Sequence, residues 1–318
     1  MKLIGLCFFI YFGFSQHISQ IDSFDAFGTI NDGEFYMAWE LPMISEQDGS
    51  LVHGYFNTKS GGKKVMFKTL ATSPKNQIVM VFFNGKDKVE SVYMFRAENS
   101  SLKLKDKNIY WLGKQEVNKS YAFTKSLLQE TNEKEALYGL LNIHQKHDET
   151  LSYYTERYKK TRSEEEKKSF IFWIGQTKTE KALPFLNDIY KKADSEELQE
   201  KVIFAYFQNE TKASQLKLIQ IAKNDTDMEL RKKAIFWLSQ LAQSHMEHFF
   251  NELIYSEDEV EIKNAAIFAL YQKGLAKELE NIVESAKDVR LRKKALFWLG
   301  QLGDQQSVSV IEKILDQN

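Results

Sequence analysis

Two histidine pairs are the first candidates for chemistry in this 318-residue sequence, which holds six histidines and one cysteine. His144-x-x-His147 and His245-x-x-His248 each set two imidazoles three residues apart, on one face of any helix that forms there. A zinc ion needs at least a third protein ligand, for which Asp148, Glu247 or Glu252 could serve, but none stands at a motif spacing. The pairs therefore predict ordinary side chains rather than a metal centre. There is no glycine-rich phosphate loop, no G-x-S-x-G elbow and no H-E-x-x-H helix. No catalytic residue, metal ligand or cofactor is assigned.

Two groups could instead serve recognition. The basic steps Arg231-Lys232-Lys233 and Arg292-Lys293-Lys294 each follow acidic residues. They could form a ridge for an acidic protein partner, or pair with Asp225, Asp227 and Asp288, the bridges contributing little each. Pairing is the stronger expectation. Trp173, Trp237 and Trp298 could line a ligand groove, yet they alternate with Ala205 and Ala269 at matching positions. Large beside small is what interior packing density demands, so packing is expected of them.

The elements that must position these residues begin after a leader. Lys2 precedes an apolar run from Leu3 to Phe14, twelve residues. Such a run is ~18 Å long as a helix, too short for a ~30 Å hydrocarbon core. Gly13 and Ser15 suit the −3 and −1 positions of a signal-peptidase site, so residues 1–15 read as a signal peptide removed before Gln16. The expected chain is exported, periplasmic or in the cell envelope, without stable membrane insertion. It loses Cys7, and its formal charge of −1 becomes −2 with the loss of Lys2. With 43 basic and 44 acidic residues there is no basic surplus to hold nucleic acid.

From about residue 25 to 117 the runs are short, aromatic and β-branched: Phe35 to Leu41, Leu51 to Phe56, Lys64 to Leu70, Ile78 to Phe83, Val89 to Phe95 and Asn108 to Leu112. In the third, Val65, Phe67 and Thr69 share one face. Asn84-Gly85 reads as a hairpin turn, and Gly61-Gly62 and Ser100-Ser101 as further turns. Residues 16–117 are thus expected to form a small, mostly antiparallel β-domain.

After Val117 the period is helical. Ser120 to Gln129 reads as a lead-in helix, and five segments then superpose without gaps: Ser169-Phe-Ile-Phe-Trp-Ile-Gly-Gln176, Lys201-Val-Ile-Phe-Ala-Tyr-Phe-Gln208, Lys233-Ala-Ile-Phe-Trp-Leu-Ser-Gln240, Ala265-Ala-Ile-Phe-Ala-Leu-Tyr-Gln272 and Lys294-Ala-Leu-Phe-Trp-Leu-Gly-Gln301. Phe172, Phe204, Phe236, Phe268 and Phe297 recur at intervals of 32, 32, 32 and 29, and Gln176, Gln208, Gln240, Gln272 and Gln301 follow four residues later. A weaker copy runs from Gly139 to Gln145. A glutamine repeated at one position suggests buried amides bonded to backbone. Asn132/Glu135, Ser163/Glu166, Asp194/Glu197, Thr226/Glu229 and Ser256/Glu259 have capping-box spacing, each box contributing ~1 kcal/mol to a helix start. Second helices are expected between, as at Ala182 to Lys191 and Ala276 to Glu284, with a last one at Ser307 to Asp316.

Two helices in about 32 residues cannot bury their own faces, so neighbouring units must stack. Arg231-Lys-Lys-Ala-Ile-Phe-Trp-Leu-Ser-Gln240 and Arg292-Lys-Lys-Ala-Leu-Phe-Trp-Leu-Gly-Gln-Leu-Gly-Asp304 resemble the short HEAT repeats of bacterial exported proteins, a repeat type shared with the bilin-lyase-like group. The β-rich start, with Phe35-Tyr-Met-Ala-Trp39, Val92 to Phe95 and Tyr110-Trp-Leu112, is loosely similar to the same proteins. The resemblance implies protein interaction, in a setting such as cell-envelope signalling; a chromophore-binding or lyase-like enzyme is the alternative it carries. The expected architecture is α+β: the β-domain, then a right-handed α-solenoid of about six HEAT-like helix pairs over residues 118–318.

Overall fold

The computed structural model describes residues 18–42, 63–66, 76–85, 88–96, 101–130, 134–242, 246–303, 308 and 312. Residues 1–15, expected to be a signal peptide, the run Leu51 to Phe56, the face of Phe67 and Thr69, Gly61-Gly62, Asn132, His245 and most of Ser307 to Asp316 lie outside them. Two compact units divide between Lys146 and His147. The change of period at residue 118 comes earlier, because two helices pack with the strands.

In the first unit the strands are β1 (Ile18–Gln20), β2 (Glu34–Leu41), β3 (Lys63–Met66), β4 (Gln77–Asn84), β5 (Val89–Arg96), β6 (Ser101–Leu104) and β7 (Asn108–Lys114). Five of them make one sheet in the order β1-β7-β2-β4-β5, and β3 pairs with β6 separately. The sheet is mixed. β4 and β5 are antiparallel across the turn at Asn84-Gly85, where Gly85 takes φ +87°. β7 returns by way of β6 and lies parallel to β2, as β1 does to β7. Ser101 opens β6 instead of closing a turn.

β2 is buried on both faces, which explains its nearly unbroken apolar run. Tyr36 and Ala38 join Ile78, Met80, Phe82, Ile109 and Trp111 in one cluster. On the opposite face Phe35 stacks on Phe83, with ring centres 5.0 Å apart. There Trp39 meets Phe24 edge-on at 5.2 Å, and Phe24 stacks on Phe123 at 4.5 Å. Phe123 belongs to α1 (Val117–Glu130), which α2 (Lys134–Ile143) follows. The weaker repeat copy falls on α2, within this first unit.

A polar chain crosses this apolar junction. The Trp39 indole donates to Ser120 Oγ at 2.8 Å, and Ser120 Oγ lies 2.8 Å from His144 Nε2. His144 Nδ1 is 2.6 Å from the Leu140 carbonyl, which can only accept. The proton therefore sits on Nδ1, and Nε2 accepts from the Ser120 hydroxyl. Ser120 is 0% and His144 2% exposed. Burial pushes the imidazole from 6.5 down to about 4, keeping it neutral.

The second unit holds α3 (His147–Lys160), α4 (Glu164–Gly175), α5 (Leu183–Lys192), α6 (Glu196–Asn209), α7 (Lys212–Asn224), α8 (Met228–Gln240), α9 (Glu247–Ser256), α10 (Val260–Gln272), α11 (Ala276–Ser285) and α12 (Val289–Leu302). The five superposed segments are the helices α4, α6, α8, α10 and α12, each packed on the next. The intervening helices pack against them, as α7 does on α8 and α11 on α12. The core stripe comes from the residues one before and two after each of the first four repeated phenylalanines: Ile171 and Ile174, Ile203 and Tyr206, Ile235 and Leu238, Ile267 and Leu270. Each fully buried side chain of this kind contributes about 1.5–3 kcal/mol.

Helix starts follow the expected chemistry with shifted partners. Ser163 caps α4, accepting from the Glu166 amide at 3.3 Å. Glu166 reaches the Thr161 hydroxyl, however, and not the Ser163 amide. Ser195 caps α6 in place of Asp194, and Asp227 caps α8 in place of Thr226. Ser256 ends α9 and caps nothing, and Glu259 precedes α10 without a side-chain cap bond.

The contacts between repeat helices alternate. Between α4 and α6 the backbones nearly touch, and a Cβ on Gly175 would stand 2.8 Å from the Ala205 carbonyl oxygen. Asn209 binds this interface by donating to the Thr179 carbonyl at 3.1 Å. Between α8 and α10 the lysine at the matching position, Lys273, donates to the Leu241 carbonyl at 2.7 Å. The other two interfaces are aromatic. Trp237 lies over Phe204 and stacks on Phe207 at 4.8 Å, and Trp298 lies over Phe268 and stacks on Tyr271 at 4.7 Å.

Three outcomes test these contacts. Ser120→Ala strands the Trp39 N–H and the His144 ring nitrogen in the core and should cost about 2–4 kcal/mol in urea unfolding. With His144 intact, the unfolded chain takes up its proton below pH 6.5 and the folded one only near 4, so stability present above pH 6.5 is lost as pH falls towards 4. A His144 ring resonance that titrates near pH 6.5 in the folded protein would contradict this. Ala205→Trp, forced against the Gly175 backbone, should lower stability by about 1–3 kcal/mol. An unchanged melting temperature would refute the close approach.

Candidate functional site

The repeated phenylalanines face away from the core stripe. Phe236 is 37% and Phe297 53% exposed, and Phe172, Phe204 and Phe268 are half-buried. They form a surface row on the repeat helices, supported from beneath by the tryptophans. Phe172 and Phe204 lie 6.2 Å apart between ring centres, and each tryptophan meets the phenylalanine before it edge-on at 4.8–5.0 Å.

Where α6 meets α8 the row opens into a groove of about 570 Å³, lined by Glu200, Lys201, Phe204, Lys232, Lys233, Phe236 and Trp237. The floor is aromatic and the rim carries three ammonium groups against one carboxylate. Lys233 reaches that carboxylate, on Glu200, at 3.1 Å, and Lys232 pairs with Glu229 of its own helix. Both pairs are accessible to water, so a ligand carboxylate can compete for the lysines at little cost. Such a site can hold an apolar side chain flanked by acidic groups.

The basic steps divide in their roles. Arg231 is structural: its Nε donates to the Ala222 carbonyl at 2.9 Å, closing the C-terminal turn of α7, and Nη2 pairs with Glu257 at 2.7 Å. Lys232 and Lys233 line the groove. Lys294 stands over the Trp298 ring at 5.5 Å and the Phe297 ring at 5.9 Å, a cation–π arrangement. Arg292 and Lys293 form no ion pair among the described residues. The aspartates expected as their partners are engaged elsewhere. Asp225 accepts from Tyr190 at 2.7 Å, Asp227 caps α8, and Asp288 caps α12 while pairing with Arg290 at 2.8 Å.

The glutamines do not form a buried ladder. Gln240, Gln272 and Gln301 are exposed, with Gln240 donating to Ser239 Oγ at 3.0 Å and to Gln272 at 3.5 Å. Their position, one helical turn after the phenylalanine, lies on the same outward side. Phe207 and Tyr271, the platforms beneath Trp237 and Trp298, are the residues the sequence reading passed over. The signal for them exists: three residues after the repeated phenylalanine stand Gly175, Phe207, Ser239, Tyr271 and Gly300, in antiphase to the tryptophans.

His144 has both ring nitrogens engaged in the core, and no group of three metal-ligating side chains occurs among the described residues. The Ser120–His144 contact is sealed from solvent, with the serine oxygen already accepting from Trp39. A substrate carbonyl cannot reach it. No helix among the described residues is long and apolar enough to cross a membrane.

Comparison with known proteins gives the following. Residues 291–317 match the family described as PBS lyase HEAT-like repeat. Among solved structures, the complex of CpcE and CpcF of phycocyanin lyase from Nostoc sp. PCC7120 matches at 15% identity and a TM-score of 0.33, over 60% of this chain and 80% of that one. No curated protein matches the sequence. On its own helix pairs and the match at its last repeat, the second unit is an array of HEAT-like repeats.

Proposed function

We propose that the chain is an exported interaction scaffold, whose repeat helices receive an acidic, apolar-anchored segment of a protein partner. The single observation that carries this is the α6/α8 groove, where lysines surround a partly exposed aromatic floor. Aromatic residues in a partly desolvated pocket supply binding energy, and the lysines supply charge selection and speed of encounter. Support for export rests on residues 1–15, and cell-envelope signalling is the setting in which such a scaffold fits.

A second reading has one observation in its favour. A groove of about 570 Å³ with an aromatic floor also has the size of a small-molecule site, and the matched repeat is of the PBS lyase type. On that reading the ligand is a planar chromophore, with a lyase-like activity.

A photo-crosslinking residue at Phe236 should capture a partner from envelope fractions. The same residue at Leu216, exposed on α7, should not. Lys201→Glu with Lys233→Glu should weaken that capture about tenfold or more, the contribution of two lost charge-assisted contacts. Equal capture from both positions would sink the proposal. A chromophore that co-purifies with the chain and is released by Trp237→Ala would favour the second reading. Intact mass of the secreted protein should begin at Gln16.

A further inference from the structure

The aromatic floor of the groove between α6 and α8 recurs between α10 and α12. The two-repeat alternation that puts Trp237 on Phe204 and Phe207 also puts Trp298 on Phe268 and Tyr271. Both stacks have the same interplanar angle of 29° on the second platform. The surface above is repeated with them: Lys232, Lys233 and Phe236 on α8 correspond to Lys293, Lys294 and Phe297 on α12. In the opposing helix Phe204 corresponds to Phe268, while Glu200 is replaced by Asn264. The carboxylate that answers Lys233 thus has an amide at its position on α10, and Lys294 rests over aromatic rings. The α6/α8 groove carries three lysines against one glutamate, and on α12 Lys293 and Lys294 stand at the positions of Lys232 and Lys233.

The interfaces that separate the two are of the other kind. Between α8 and α10 the contact is made by the Lys273 clasp and the Gln240–Gln272 bond, with no indole stack among the described residues. The aromatic stations therefore stand two helices apart. At 8–10 Å between packed helix axes, that is roughly 16–20 Å along the row. An extended chain advances ~3.3 Å per residue, so five or six residues cover the distance. Only an even number returns a side chain to the same face of an extended strand.

We infer that the α6/α8 groove and the α10/α12 aromatic station act as a pair, binding one extended acidic segment of a partner protein through two apolar side chains six residues apart. The inference rests on the scaffold reading and adds the shape of what is bound. The complementary charge decides the occupant. Carboxylates between and beside the anchors meet Lys201, Lys232 and Lys233 at one end and Lys293 and Lys294 at the other. Linking the two anchors makes the second contact intramolecular, so the pair binds much more tightly than either alone.

The test uses the whole chain and fluorescein-labelled synthetic peptides of Asp, Glu, Ser and Gly, followed by anisotropy. One peptide carries a single Phe, one carries two Phe at i and i+6, and one carries them at i and i+5. The i, i+6 peptide should bind at least about tenfold more tightly than either of the others. Phe236→Ala or Phe297→Ala should each reduce it to the single-anchor level. Both side chains are solvent-accessible, and circular dichroism and the melting temperature serve as the check that the fold is retained. If all three peptides bind equally and Lys233→Glu weakens them, the single groove stands and the pairing is overturned. If no acidic peptide binds, both the pairing and the partner chemistry assigned to the groove are overturned.

Discussion

A flat indole can be packed between two helices only if the facing helix offers something broad beneath it and nothing bulky beside it. In this chain that requirement governs the repeat array. Trp237 and Trp298 lie on aromatic pairs contributed by the helix before, and those preceding helices carry alanine, Ala205 and Ala269, at the tryptophan's own position. The alternation leaves two kinds of contact. One is a close backbone approach, Gly175 against Ala205, bound by Asn209; the other is a ring stack. Neither helix layer alone is stable in water, so the stacking order of the array follows from which residue meets which across each interface.

The first unit solves a different problem with a similar economy of parts. A sheet whose central strand is apolar on both faces needs a cover on each. Phe123 on α1 provides part of one, beside Phe24 and Trp39. The indole N–H of Trp39 would be an orphan there. Ser120 accepts from it and donates its own hydroxyl to His144, whose other nitrogen ends the chain on the Leu140 carbonyl. Every polar atom in this line has one partner of the correct sense, which is why a histidine can be buried there at all.

Much of this was legible in the residues. The phenylalanine register locates five helices to within a residue or two at their C-terminal ends. Cap identity was less so: Asp194-Ser195 and Thr226-Asp227 each offer two good capping residues in a row, and the backbone decides between them only when the helix has been oriented by packing. Ser256 reads as a cap but lies in the last turn of α9, because only three residues separate α9 from α10. The glutamines were expected inside because they repeat, yet repetition marks any position with a constant environment, including an outward one. The Trp39–Ser120–His144 line was not legible. Its members are 81 and 24 residues apart, and no local pattern announces such a meeting. The groove lay between: Lys232, Lys233 and Trp237 stood out in the sequence and Glu200 and Lys201 did not, and that they share one surface depends on which side of the helix forms the core.

The alternation also bears on how such an array can grow or shrink. Copying a single 32-residue unit would set two indole-bearing helices, or two alanine-bearing ones, side by side, with clashing bulk in one case and a void in the other. Copying a block of two units preserves the phase at both joins. The unit that can be copied without disturbing a join is therefore the couplet, about 64 residues long.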